Sequence, residues 1–206
     1  MRTPSCSSLP PVDDVVGRFR SGHQLSGRPA SLEEWRITTG DPEVAVKVYD
    51  LFGAHEPQDW ETKGEDSFEV FTAVPEVEII LADAKALRQR MVLWSRPGKL
   101  VIDSDGGEEL VDDTPAPFRG PEPLIDLTFG LAAAPELGRF VLRSHSWSWA
   151  TDLARNGTGE QLAAAPTPVR ASLALEKVSF IAKNGPRAGQ LVAYSKPRLA
   201  LRGALA

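Results

Sequence analysis

Apolar and polar residues alternate with period two through much of this chain, and the alternation predicts strands. GRFRSGHQL (17–25) and LEEWRITT (32–39) are two of them, the second setting Leu32, Glu34 and Arg36 against Glu33, Trp35 and Ile37. SFEVFTA (67–73) and VEIILA (77–82) follow, broken at Pro75, and then RMVLWS (90–95) and KLVID (99–103). Asp105-Gly106-Gly107 is a turn signal before EELV. PLIDLTFGLA (123–132) is predicted to pair with RFVLRS (139–144), in which Phe140 and Leu142 point one way and Arg139, Val141 and Arg143 the other. VRASLALEKVSFIA (169–182) and QLVAYSKPRLAL (190–201) read as a closing hairpin across Lys183-Asn184-Gly185.

Helical spacing is clearest after Asp41. Asp41 suits an N-cap, Pro42 the first helical position, and Val44, Val48, Leu51 and Phe52 fall at i, i+4, i+7 and i+8. Gly53 is expected to end this helix as a left-handed C-cap. Asp83 to Leu87 reads as a helical turn, and GTGEQLAAA (157–165) as a short helix. LGRFVLRSHSWSWATDL (137–153) reads as a strand turning into a helix over 146–155, with Trp147, Ala150 and Ala154 on its packed side. Ser144, His145 and Ser146 supply capping groups at the corner.

These elements sum to an α+β fold: an antiparallel sheet of about nine or ten short strands, able to curl into a partial barrel, with two or three helices. Residues 1–14, rich in Ser and Pro, are expected to be a disordered tail. Residues 15–206 are expected to form a single α+β domain with a long loop at 104–122.

Charge changes this picture more than composition does. The 206 residues are 42% hydrophobic and 25% charged, ordinary for a globular domain. Net charge is −5, which disfavours a protein built mainly to grip phosphate backbones. Asp103, Asp105, Glu108, Glu109, Asp112 and Asp113 form an acidic run, whereas no carboxylate side chain follows Glu176. Cys6 is the only cysteine, so a disulfide framework and a Cys-based zinc site are excluded within one chain. With no apolar run of membrane-spanning length and no secretory h-region, a cytoplasmic protein is expected.

Catalytic signatures are absent. In Ser144-His145-Ser146, strand neighbours point to opposite faces, so the spacing does not create a Ser–His hydrogen bond. The acidic run lacks the alternation of a calcium loop. GPRAGQ (185–190) lacks the G-K-[ST] ending of a P-loop. Of the five tryptophans, Trp35, Trp94, Trp147 and Trp149 are expected in the core and Trp60 at the surface.

Four stretches carry a resemblance. They are GRFRSGHQLSGRPASLEEWRITT, DPEVAVKVYDLFGAHEPQDWE, RMVLWSRPGKL and LGRFVLRSHSWSWATDL. In this order they resemble the recombination directionality factors of actinobacterial phages, partners of large serine integrases. Members of that family commonly carry several cysteines after the tryptophan strand. Here that region reads GKLVIDSDGGEELVDDTPAPFRGPEP, without one. The resemblance implies a non-enzymatic factor, phage- or prophage-encoded. It would bind a serine integrase near its zinc domain and coiled coil and switch it to excisive recombination of hybrid attachment sites. It implies no cofactor, no membrane, and DNA met only through the integrase. The alternative reading is a nucleic-acid-binding accessory protein of phage replication or recombination, using the basic C-terminal strands and Trp60. A third, a metal-dependent enzyme, would use the acidic run. Candidate partner contacts are Trp60, Phe118, Arg119 and Arg187; Arg143 and the corner tryptophans are assigned to folding.

Overall fold

A computed structural model describes residues 15–25, 28–60, 66–94, 100–103, 120–185 and 188–204. The expected N-terminal tail and positions 104–119 of the long loop lie outside the described residues. The strands are β1 (Val15–Leu25), β2 (Arg28–Thr39), β3 (Gln58–Asp59), β4 (Phe68–Phe71), β5 (Glu76–Leu81), β6 (Leu87–Trp94), β7 (Leu100–Asp103), β8 (Glu122–Leu131), β9 (Arg139–Ser144), β10 (Val169–Ile181) and β11 (Leu191–Ala204). Among the described residues three α-helices, α1 (Pro42–Phe52), α2 (Trp147–Arg155) and α3 (Thr158–Ala164), complete an α+β fold.

The sheet runs β11-β10-β5-β8-β9-β1-β2-β4-β3 and branches at β8. One edge of β8 pairs first with β6, over Glu122 to Leu127, and then with β5 at Gly130 and Leu131. β7 hangs on β6. Among the described residues pairing is antiparallel except between β1 and β9, where Phe19 lies opposite Leu142. The sheet is not closed into a barrel: among the described residues no ladder joins β11 to β3 or β7.

Alternation places one face of this sheet in the core. Phe19, Trp35, Phe129 and Phe140 meet there, with Phe19 edge-on to the other three at 5.6, 5.0 and 5.7 Å between ring centroids. Such edge contacts match the positive ring edge to a negative face. Trp35 is fully satisfied: its amide donates to Thr72 Oγ1 at 3.1 Å and its indole N–H to the Pro75 carbonyl at 3.0 Å. Val44, Ala45 and Val48 of α1, Trp149 and Leu153 of α2, and Leu162 of α3 join the same hydrophobic cluster.

Three local expectations are corrected. Leu32 and Trp35, predicted on opposite faces of β2, are both buried. Pairing jumps from Arg20↔Arg36 to Gly22↔Ser31, so β2 takes five residue steps against two of β1 and the alternation is reset. Gly53 is not left-handed; its φ of −66° and ψ of 137° are extended. Crowding makes the glycine necessary, because a Cβ there would lie 2.2 Å from Tyr49 Cδ2 and 2.8 Å from the Tyr49 carbonyl. In α2 the buried stripe is Trp149 and Leu153, while Trp147 is 58% exposed. Two residues correspond to about 200° around a helix, so the two corner tryptophans cannot share a face.

Candidate partner-binding face

The sheet surface opposite the core is made by the alternate residues of β9, β1, β2 and β4. In register across it, Arg20 lies opposite Arg36 and Arg36 opposite Phe71, while Arg18 lies opposite Thr38 and Thr38 opposite Glu69. On the far side Asp126 lies opposite Arg143. Like charges directly opposite each other on a sheet repel. At the Arg20–Arg36 pair the structure offsets this in two ways.

Asp66 is the first. Only 8% exposed, its carboxylate accepts from Arg18, from Arg20 at 3.4 Å and from Thr38 Oγ1 at 2.6 Å. A carboxylate this buried is sustained by the cations and the donor that converge on it. Trp60 is the second. The guanidinium of Arg36 stands 4.8 Å from its ring centroid and that of Arg20 5.5 Å, and Arg36 also lies 5.1 Å from the Phe71 ring. Cation–π attraction of this kind contributes about 0.5–2 kcal/mol per pair. Arg36 additionally pairs with Glu69 at 3.1 Å. Further along, Asp126 accepts from Arg90 at 2.8 Å and from Arg143 at 2.6 Å.

The result is a mixed-charge face, concave beside Arg18, Arg20, Val141 and Arg143, on which Arg18, Arg20, Arg36, Arg90 and Arg143 outnumber Asp66, Glu69 and Asp126. Arginine and tryptophan are the residue types that most often dominate protein–protein binding energy. Trp60 is half-buried within this face, not fully exposed as expected. Phe118, Arg119 and Arg187 lie outside the described residues. Arg143, assigned to folding by sequence, keeps 64% of its side chain exposed while pairing with Asp126. Sequence reasoning missed Arg18, Arg20, Arg36 and Asp66. Their signal was the arginines at alternate positions 18, 20 and 36, outward of Phe19 and Ile37.

At the corner, Ser146 caps α2 by accepting from the Trp149 amide at 3.3 Å, and Ser144 Oγ accepts from the Ser146 amide at 3.2 Å. His145 Nδ1 instead lies 3.4 Å from Glu122 Oε1. Capping therefore accounts for Ser144 and Ser146, whereas His145, expected among the capping groups, pairs with Glu122. Among the described residues no group of three or more His, Cys, Asp or Glu side chains is arranged to hold a metal ion. None of their helices is long and apolar enough to cross a membrane.

Fold and face together define an open, branched α+β sheet whose helices join the core and whose other surface is charged and aromatic. Residues 16–199 match the Gp3-like family, described as recombination directionality factor-like, and the chain belongs to that family. No solved structure matches it.

Proposed function

We propose that this protein binds a large serine integrase and switches it to excisive recombination of hybrid attachment sites. Contact is made near the integrase's zinc domain and coiled coil, and DNA is met only through the integrase. The factor makes and breaks no bond itself. It acts in the cytoplasm of the bacterial host, from a phage or prophage gene. The observation that carries this reading is family membership over residues 16–199.

The physics is a shift of populations. A factor with equal affinity for every integrase arrangement changes nothing, however tightly it binds. Moving a two-state balance from 1:99 to 99:1 takes about a 10⁴-fold preference for one state. The tryptophan–arginine face is suited to supplying part of such a preference, since its guanidinium groups are already held in position and little ordering remains to oppose binding.

The test is recombination of paired hybrid sites by the cognate integrase, with and without this protein. Stimulation at stoichiometric amounts is expected, and none at large excess would end the proposal. Trp60→Ala is expected to weaken integrase binding about tenfold or more, the range of a hot-spot aromatic.

A further inference from the structure

β10 and β11 pair along their whole length, from Val169↔Ala204 to Ile181↔Leu191. β5 covers the other edge of β10 only from Val169 to Ala174, and one further hydrogen bond joins the Leu175 amide to the Pro75 carbonyl. Beyond that point the hairpin leaves the sheet as a two-stranded ribbon. Its stem is fastened by ion pairs, Lys177 with Glu33 of β2 and Lys196 with Asp152 of α2.

The outer end of this arm is apolar. Phe180, Ile181 and Leu191 are 47%, 57% and 68% exposed. Ile181 and Leu191 face each other on one side of the ribbon; Phe180 and Val192 do so on the other, where Phe180 also meets the Tyr194 ring edge-on. A two-stranded ribbon is marginal in water by itself, and its cross-strand pairs at the tip still leave about half or more of Phe180, Ile181 and Leu191 in solvent. Beyond Glu176 the chain carries six Lys or Arg and no Asp or Glu; Lys177, Lys196, Arg198 and Arg202 are paired with Glu33, Asp152 and Glu76, which leaves Lys183 beside the tip.

We infer that this arm is a docking element that inserts into an apolar cleft, rimmed by carboxylates, on the integrase; this rests on the functional reading above. Apolar groups on both faces of the ribbon require a cleft, because a flat surface covers only one. Lys183 beside the apolar tip, on an outer arm that carries no carboxylate of its own, favours an acidic rim. A second copy of this chain is the poorer occupant. Two arms packed tip to tip would oppose like charges, and an arm seated elsewhere on its neighbour is a head-to-tail contact that builds rings or open filaments.

The experiment compares the full-length protein with Ile181→Ser/Leu191→Ser, Leu191→Met and Lys183→Glu variants. Affinity for the purified integrase is measured at two salt concentrations, alongside hybrid-site recombination, melting temperature and light scattering. The double serine variant is expected to lose tenfold or more in affinity with its melting temperature kept, and Leu191→Met to stay near wild type. Lys183→Glu is expected to bind more weakly and with a shallower salt dependence. If the wild type stimulates recombination and the double serine variant binds equally well, the arm proposal alone fails. If the wild type neither binds nor stimulates, both readings fall. Oligomers that form with the wild type and vanish in the serine variant would make a second copy the occupant and overturn the assignment.

Discussion

The two ends of the closing hairpin are built from similar residues and meet opposite fates. At its base, Val169, Ala171, Ser172, Leu173, Ala174 and Leu175 are all buried, on both faces of the strand. At its tip, six pairs further on, Phe180 and Ile181 stand in solvent. Hydrophobicity is not what separates them. β5 flanks the base and stops at Glu76, opposite Ala174, so a strand acquires its burial from its neighbours. The base therefore contributes to stability, whereas the tip's apolar surface is left for something outside the fold.

The largest effect of this difference is expected at Leu173, which is 0% exposed, between Val77 of β5 and Leu199 of β11. Leu173→Ala should cost about 2–5 kcal/mol by lost burial plus cavity, read from urea unfolding midpoints. A loss below about 1 kcal/mol would mean that the base is packed no better than the tip.

An intermediate effect is expected at the stem. Lys196 is raised above its ordinary value of 10.5, chiefly by its hydrogen bond to Asp152, with burial pulling the other way and the charges of Asp152, Glu176 and Tyr194 adding to the rise. A lysine whose folded-state pKa is raised contributes stability that is fully present below the unfolded value. That stability is lost as pH rises through the folded one. Lys196→Met should cost about 1–3 kcal/mol near neutral pH, between the effects at exposed and at buried pairs. The gap between wild type and variant should narrow only above pH 10.5, as melting temperatures from pH 8 upward would record. A constant gap across that range would place the effect in packing and not in charge.

Sequence alternation was enough to find nearly every strand, the Asp41-Pro42 helix start and the serine cap of α2, because those signals lie within a few residues of one another. It could not separate the two ends of β10, since apolar residues recur at both ends of VRASLALEKVSFI and the strand that covers only one of them is about 90 residues away. The parallel β1–β9 pairing was hidden for the same reason. At the candidate face, Trp60 could be singled out but not the Arg20 and Arg36 groups over its ring, which arrive from two other strands. Trp147 and Trp149 carry the same core signal as residue types, although a helix sends them to opposite sides. The capping Ser146 fixed where the helix starts, and that start decided which tryptophan was buried.

The smallest stability effect is expected at the tip, in Ile181→Ser/Leu191→Ser. Both side chains are more than half exposed, so truncating them removes little burial and leaves no cavity. They also lie past the stem clamps, where their only ladder is with each other's strand. Equilibrium unfolding should therefore shift by no more than about 0.5 kcal/mol, the range of ordinary surface substitutions. Solubility should rise as the apolar patch is erased. A destabilisation of 2 kcal/mol or so would show that the ribbon folds back on the body in solution. Those apolar groups would then belong to the protein's own packing and be withdrawn from any partner.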